Sequence, residues 1–151
     1  MQVFLDAGPV EQIKRNDAKI LTLKDVNRGT IYSGPLVLLV NGYSASASEM
    51  LAGTLQDYKR AIIAGSPTYG KATGQLVLPL DTTINFDSNA PFKETDSYLK
   101  LTTSTLYRIT GATPQGTGVI PDIALPDILE AMPGREKDEY FWLHTTPIEA
   151  N

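Results

Sequence analysis

Residues 36–40 (LVLLV) run apolar without a polar interruption and stop at Asn41-Gly42, the pattern of a strand buried on both faces. From Ser46 to Tyr58 the positions Ala47, Met50, Leu51, Thr54, Leu55 and Tyr58 recur at helical spacing. Lys59-Arg60 follow where cations suit the end of a helix. Residues 60–65 (RAIIAG) then return to a short apolar strand. Strand, helix and strand within about 30 residues predict a parallel crossover, and so a sheet covered by helices.

Around this unit the pattern is weaker. The first residues, MQVFLDAG, read as the last turn of an apolar helix without a cap before it, and suggest that the chain is a piece of a longer one. Residues 10–14 and 19–23 are short strand candidates, followed by a turn-rich stretch, KDVNRGTIYSGP. Residues 75–80 and 99–109 have strand composition, and the polar segment 81–97 between them predicts a surface excursion. Residues 116–126 (GTGVIPDIALP) predict an extended run. From Asp127 the chain is charged and is expected to be partly helical. No internal repeat is visible.

Composition narrows the functions. The 151 residues are 42% hydrophobic, enough for one domain with a core. A net charge of −4 without a local Lys/Arg run disfavours nucleic acid as a partner. The absence of cysteine removes disulfides, thiolate metal sites and cysteine nucleophiles. No apolar stretch approaches the roughly 18 residues of a membrane helix, and the first residues lack the regions of a signal peptide.

The candidate chemistry lies at Ser44, Ser46 and Ser48, at alternate positions in GYSASASEM. Ser46-Ala47-Ser48-Glu49 matches the S-x-x-E capping box, which explains the serine without any chemistry. A strand that feeds a tight turn and then a helix also presents a nucleophile, with the unpaired N–H groups of the first helical turn available to an oxyanion. A serine nucleophile needs a base. His144, the only histidine, sits in the polar tail and has no evident tie to the serines. Lys71, in TYGKATGQ, is flanked by small residues just after an apolar strand. It is either a lysine base, which must act neutral, or a loop lysine in water. Residues 65–71 (GSPTYGK) also fit the phosphate-loop pattern. Against that reading, Ala72 stands where a magnesium-binding hydroxyl belongs, and a strand pattern follows where a helix is required.

Residues 34–80, carrying SASASE and TYGKATGQ, together with LKLTTSTLYRITGATPQGTGVIPDI, resemble the C-terminal processing peptidases, or tail-specific proteases. The resemblance covers residues 1–126. It implies an α/β fold of the Clp protease/crotonase type, a spiral of ββα units. It implies Ser46 as nucleophile, Lys71 as general base, Gln75 as the residue orienting the lysine, and the Ala47 N–H as an oxyanion donor. Asp57 matches an aspartate associated with function in that family, although a structural role near the helix end is an equal reading. The family's upstream Gly-rich oxyanion motif has no counterpart here. The expectation is therefore that residues 1–126 are the C-terminal part of a catalytic domain and that 127–151 form a charged tail.

The implied activity is that of a serine endopeptidase cutting proteins near their C-termini through an acyl-enzyme, with no metal or cofactor. The alternative is an inactive fragment or peptide-binding module of the same fold. Substrates with accessible C-termini are the implied partners, and the periplasm or cell envelope is the implied location.

Overall fold

The computed structural model describes residues 1, 3–16, 18–80, 97–128, 130, 132 and 134–151. Strand β1 spans Gly8–Arg15, β2 Leu21–Asp25, β3 Val37–Val40, β4 Ile62–Gly65, β5 Thr73–Pro79, β6 Tyr98–Tyr107 and β7 Ile123–Ala124. Helix α1 spans Ala47–Asp57. The polar segment expected to form a surface excursion lies outside the described residues, apart from Ser97.

The crossover is formed as its pattern predicts. β3 runs parallel to β4, from Val37 opposite Ile62 to Val40 opposite Gly65, and β4 is parallel to β7 in a sheet of order β3-β4-β7. Helix α1 closes one face of this sheet: its Ala52 and Leu55 pack with Val40, Ile63, Val119, Leu5 and Ala61 in the buried core. Leu55 and Ile63 are essentially inaccessible to solvent, and each such side chain stabilises the fold by about 1.5–3 kcal/mol. Leu5 reaches this core from a single turn in which the N–H groups of Phe4 and Leu5 both donate to Met1 O.

The other face departs from expectation. Parity along β3 sends Leu38 and Val40 toward α1, while Val37 and Leu39 remain 57% and 72% exposed, beside exposed Ile62 of β4 and Ile123 of β7. A continuous apolar run shows that both faces are compatible with burial. Whether both are buried depends on whether a second layer is present, and none among the described residues covers this face.

β1, β2, β5 and β6 form a second, antiparallel sheet of order β2-β1-β6-β5. It joins the first through the long loop 66–72, which leaves β4 and enters β5. The run TGQLVLP is therefore a strand, which removes the phosphate-loop reading. The tail is less helical than expected. Its one helical element among the described residues is a 3-10 turn, Glu136–Asp138. Beyond it the chain lies along the body: Ile148 N–H donates to Gly111 O (2.9 Å), Asn151 N–H to Ile109 O (2.9 Å), and Gln12 Nε2 to Glu149 O (3.3 Å).

Candidate active site

Ser46 occupies the point where β3 has ended and α1 has not begun. The turn is made by its neighbours. Ser44 N–H donates to Asn41 O (2.8 Å), Asn41 N–H to Ser44 Oγ (3.2 Å) and Tyr43 N–H to Asn41 Oδ1 (3.0 Å), so Ser44 is a turn residue. The turn leaves Ser46 with φ 57° and ψ −116°. For a residue with a Cβ this backbone costs on the order of 1–3 kcal/mol, and it persists only where the surroundings impose it. Ser46 and Glu49 have the capping-box arrangement, with Ser46 N–H donating to Glu49 Oε2 at 2.9 Å. The Ser46 hydroxyl makes no cap hydrogen bond, and Glu49 N–H donates to the main-chain Ser46 O at 2.8 Å. The hydroxyl is thus not committed to holding the helix.

Glu49 does more than cap. Only 1% exposed, its carboxylate also receives Thr68 Oγ1–H (2.5 Å) and Gly70 N–H (2.7 Å) on Oε1, and Lys71 N–H (2.9 Å) on Oε2. With Ser46 N–H this makes four donors, as many as a carboxylate has lone-pair sites. Its acceptor sites are all taken by the protein's own donors. The effect of Glu49 is to fasten the Ser46 turn to the loop carrying Lys71. Tyr69 N–H adds a direct tie between the two loops by donating to Ser44 O (2.9 Å). Buried Thr68 extends the network by accepting Val119 N–H (2.7 Å). Gly70, at φ +97°, lets the loop turn tightly against Gly116 and Gly118.

The sequence-predicted residues are gathered to different degrees. The Ala47 N–H, at the first position of α1, has no acceptor among the described residues, as an oxyanion donor requires. Lys71 is half-buried, and its Nζ donates to Thr73 O at 3.2 Å; no Ser46–Lys71 side-chain bond is recorded among the described residues. Gln75 is exposed on β5, with Nε2 donating to Thr102 Oγ1 at 3.2 Å rather than to Lys71. Asp57 makes a two-toothed pair with Arg108, whose Nε lies 3.1 and 3.0 Å from its carboxylate oxygens and whose Nη2 is in still closer contact. This pair pins the end of α1 to the residue after β6, which favours the structural reading of Asp57. His144 packs at a tilt against Trp142, with ring centroids 3.8 Å apart and the ring planes 43° from parallel. Tyr69 has its phenol pushed above the usual value, first by burial and then by the carboxylates of Glu136, Glu139, Asp138 and Glu49. The acidic 3-10 turn of the tail therefore sits beside the lysine loop.

Residues 1–125 match the sequence profile of Peptidase family S41. The chain belongs to this family. S41 relatives include a tail-specific protease of Haemophilus influenzae, 36% identical over 138 residues, or 91% of this chain and 19% of that protein. A carboxy-terminal-processing protease of Bartonella bacilliformis is 37% identical over 130 residues, or 81% of this chain and 25% of its own length. This chain thus spans a quarter or less of these two relatives. Among solved structures, the photosystem II D1 C-terminal processing protease superimposes with a TM-score of 0.63 at 32% identity, covering 82% of this chain and 29% of that one. The α/β architecture is that of an S41 protease domain.

Two residues that hold this site together went unread in the sequence. Glu49 is visible there only as a capping residue, because its contacts with Gly70 and Lys71 bridge 21 and 22 positions. Gln115, 4% exposed, accepts Ala72 N–H through Oε1 at 2.7 Å, and nothing in its surrounding sequence distinguishes it from a loop glutamine.

Proposed function

We propose that the chain carries the nucleophile and base of a serine endopeptidase that cuts proteins near their C-termini. The observation that carries this reading is the strained Ser46 elbow, bound through one buried carboxylate to the loop of Lys71. Strain of this kind at a residue whose hydroxyl makes no cap hydrogen bond is the arrangement of a presented nucleophile.

In the reaction, neutral Lys71 removes the proton from Ser46 Oγ as the oxygen attacks the scissile carbonyl carbon. The oxyanion that forms accepts the Ala47 N–H at the positive end of α1. Collapse breaks the C–N bond, the leaving amine takes the proton from the Lys71 ammonium, and the acyl group stays on Ser46. Water then attacks the ester with Lys71 again as base, releasing the acid and restoring the hydroxyl. The Lys71 amine, which donates to Thr73 O, is the group that turns to Ser46, and Gln75 is the side chain proposed to orient it. Substrate adds as an extended strand, its main-chain hydrogen bonds serving many sequences. Residues 1–126 supply this chemistry as part of a catalytic domain, with 127–151 as its tail. The working site is the periplasm or cell envelope, as the family resemblance implies.

A second reading, an inactive or peptide-binding piece of the same fold, draws on the Lys71–Thr73 and Gln75–Thr102 contacts, which engage both side chains with partners other than Ser46. One experiment separates the two. The protein is incubated with an unstructured peptide and, separately, with a fluorophosphonate; cleavage and labelling are followed by mass spectrometry in wild type, Ser46→Ala and Lys71→Ala. Peptidase chemistry requires cleavage and Ser46 labelling in wild type and loss of both in the two variants. Peptide binding without either reaction supports the second reading.

A further inference from the structure

The loop that carries Lys71 is held from a second side. The N–H groups of residues 68 to 72 are all bonded: Thr68 to Val119 O (3.2 Å), Tyr69 to Ser44 O, Gly70 and Lys71 to Glu49, and Ala72 to Gln115 Oε1. Glu49 therefore fixes the loop up to Lys71, and Gln115 fixes the residue after it. Gln115 is not an independent anchor. Its Nε2 donates to Glu136 Oε1 at 2.8 Å, which determines which end of the amide faces Ala72. Glu136 returns to the loop itself, its N–H donating to Tyr69 O at 3.1 Å. One tail residue thus grips the backbone on both sides of Lys71, directly at Tyr69 and through Gln115 at Ala72.

The tail is moored where this grip needs support. The Trp142 ring lies over Gly116, where any Cβ would collide with it, and Gly116 N–H donates to Gly70 O at 2.8 Å. Gly116 combines φ +77° with that contact, so only glycine fits. Ile148 and Asn151 then bond the main chain at Gly111 and Ile109, in the same connection that carries Gln115.

We propose that Glu136 and Gln115 are positioning residues for Lys71, through which the C-terminal segment sets the placement of the general base. This rests on the reading of Lys71 as base. Neither residue touches Ser46 or the reacting atoms; each acts by fixing the main chain on which the lysine swings. The substitution Glu136→Ala breaks the relay and lets the Gln115 amide rotate, whereas Glu136→Gln retains an acceptor oxygen for Nε2. Gln115→Leu removes the acceptor of Ala72 N–H altogether.

The test combines two measurements on the whole chain. Amide hydrogen exchange at Ala72 reads the clamp without catalysis, and the rate of Ser46 labelling by a fluorophosphonate across pH reads the base. Glu136→Ala and Gln115→Leu are expected to speed Ala72 exchange and to slow labelling on the order of ten- to a hundredfold, the scale of a small misplacement of a catalytic group. They are also expected to alter the shape of the pH profile, while Glu136→Gln stays within about threefold of wild type on the same scale. Faster Ala72 exchange with unchanged labelling and pH profile would show a purely structural contact and overturn the proposal, as would no change in either measurement. Wild-type labelling rates in Lys71→Ala would instead overturn the dyad reading, leaving the Ala72 exchange result to report on the clamp alone.

Discussion

Replacing Glu49 by glutamine changes few atoms and should cost much of the stability. The wild-type carboxylate satisfies Thr68, Gly70, Ser46 and Lys71 at once. A glutamine side chain keeps one oxygen for two of these donors and turns an NH₂ toward the other two, placing donors against donors. Two charge-assisted hydrogen bonds are lost, at about 1.5–3 kcal/mol each, and at least one main-chain N–H is left without its partner. The loss should reach about 3–6 kcal/mol, a large part of the roughly 5–15 kcal/mol that holds a small domain together. In urea, with a slope of about 2 kcal/mol per molar, the midpoint should fall by about 1.5–3 M. Circular dichroism follows the whole fold, and Trp142 fluorescence follows the tail over Gly116. Ser48→Ala, one residue earlier and exposed, should move the midpoint by less than about 0.5 kcal/mol equivalent. If Glu49→Gln unfolds within about 1 kcal/mol of wild type and Ser46 is labelled at the same rate, the carboxylate hub does not bear the weight assigned to it.

Ser46→Gly should relieve the backbone strain at φ 57° and, after the entropy that glycine adds to the unfolded chain, raise stability by about 0.5–2 kcal/mol; Ser46→Ala should not, and thermal unfolding of the pair decides. Burial pushes the Glu11 carboxyl from its ordinary value of 4.5 to about 7. The folded state therefore holds this proton more tightly than the unfolded one. The resulting stability is complete below about 4.5 and is lost as pH rises through 7, on the order of 2 kcal/mol; in Glu11→Gln, urea midpoints should not show that decline. Asp57→Asn should lower stability by about 2 kcal/mol by uncoupling Arg108 while leaving the rate of Ser46 labelling unchanged, and a selective loss of labelling would return Asp57 to the chemistry. Peptide cleavage should rise from neutral toward alkaline pH, because a lysine accepts a proton only when neutral, and a flat profile would argue against Lys71 as the base.

What was legible in the sequence was local. The β3-α1-β4 crossover follows from apolar runs and helical periodicity between positions 36 and 65, and both catalytic candidates lie in short motifs there or just beyond. The antiparallel pairing of β1 with β6 was not legible, since Gln12 opposes Tyr107 with the whole crossover between them. The two clamps on the Lys71 loop share that limitation. Glu49, Gln115 and Glu136 are polar residues whose clamping partners across the site lie at least 19 positions away, and neither periodicity nor charge marks such a pairing. The tail misled for a related reason. Its charges suggest a solvated helix, but Gly111 and Gly116 offer it main-chain grooves to lie in, and the backbone hydrogen bonds it makes there replace those of a helix.

The bare face of the parallel sheet has a consequence for any measurement made on this chain. Val37, Leu39, Ile62 and Ile123 present aliphatic carbon to water on adjacent strands, and β3 adds an edge with no further strand beyond it among the described residues. Such a surface favours self-association and the uptake of dyes, detergents and vessel walls. Rates and midpoints should therefore be shown to be independent of protein concentration before they are assigned to a single molecule. Where they are not, a charged residue in place of Leu39, the most exposed of the four, is the first remedy to try.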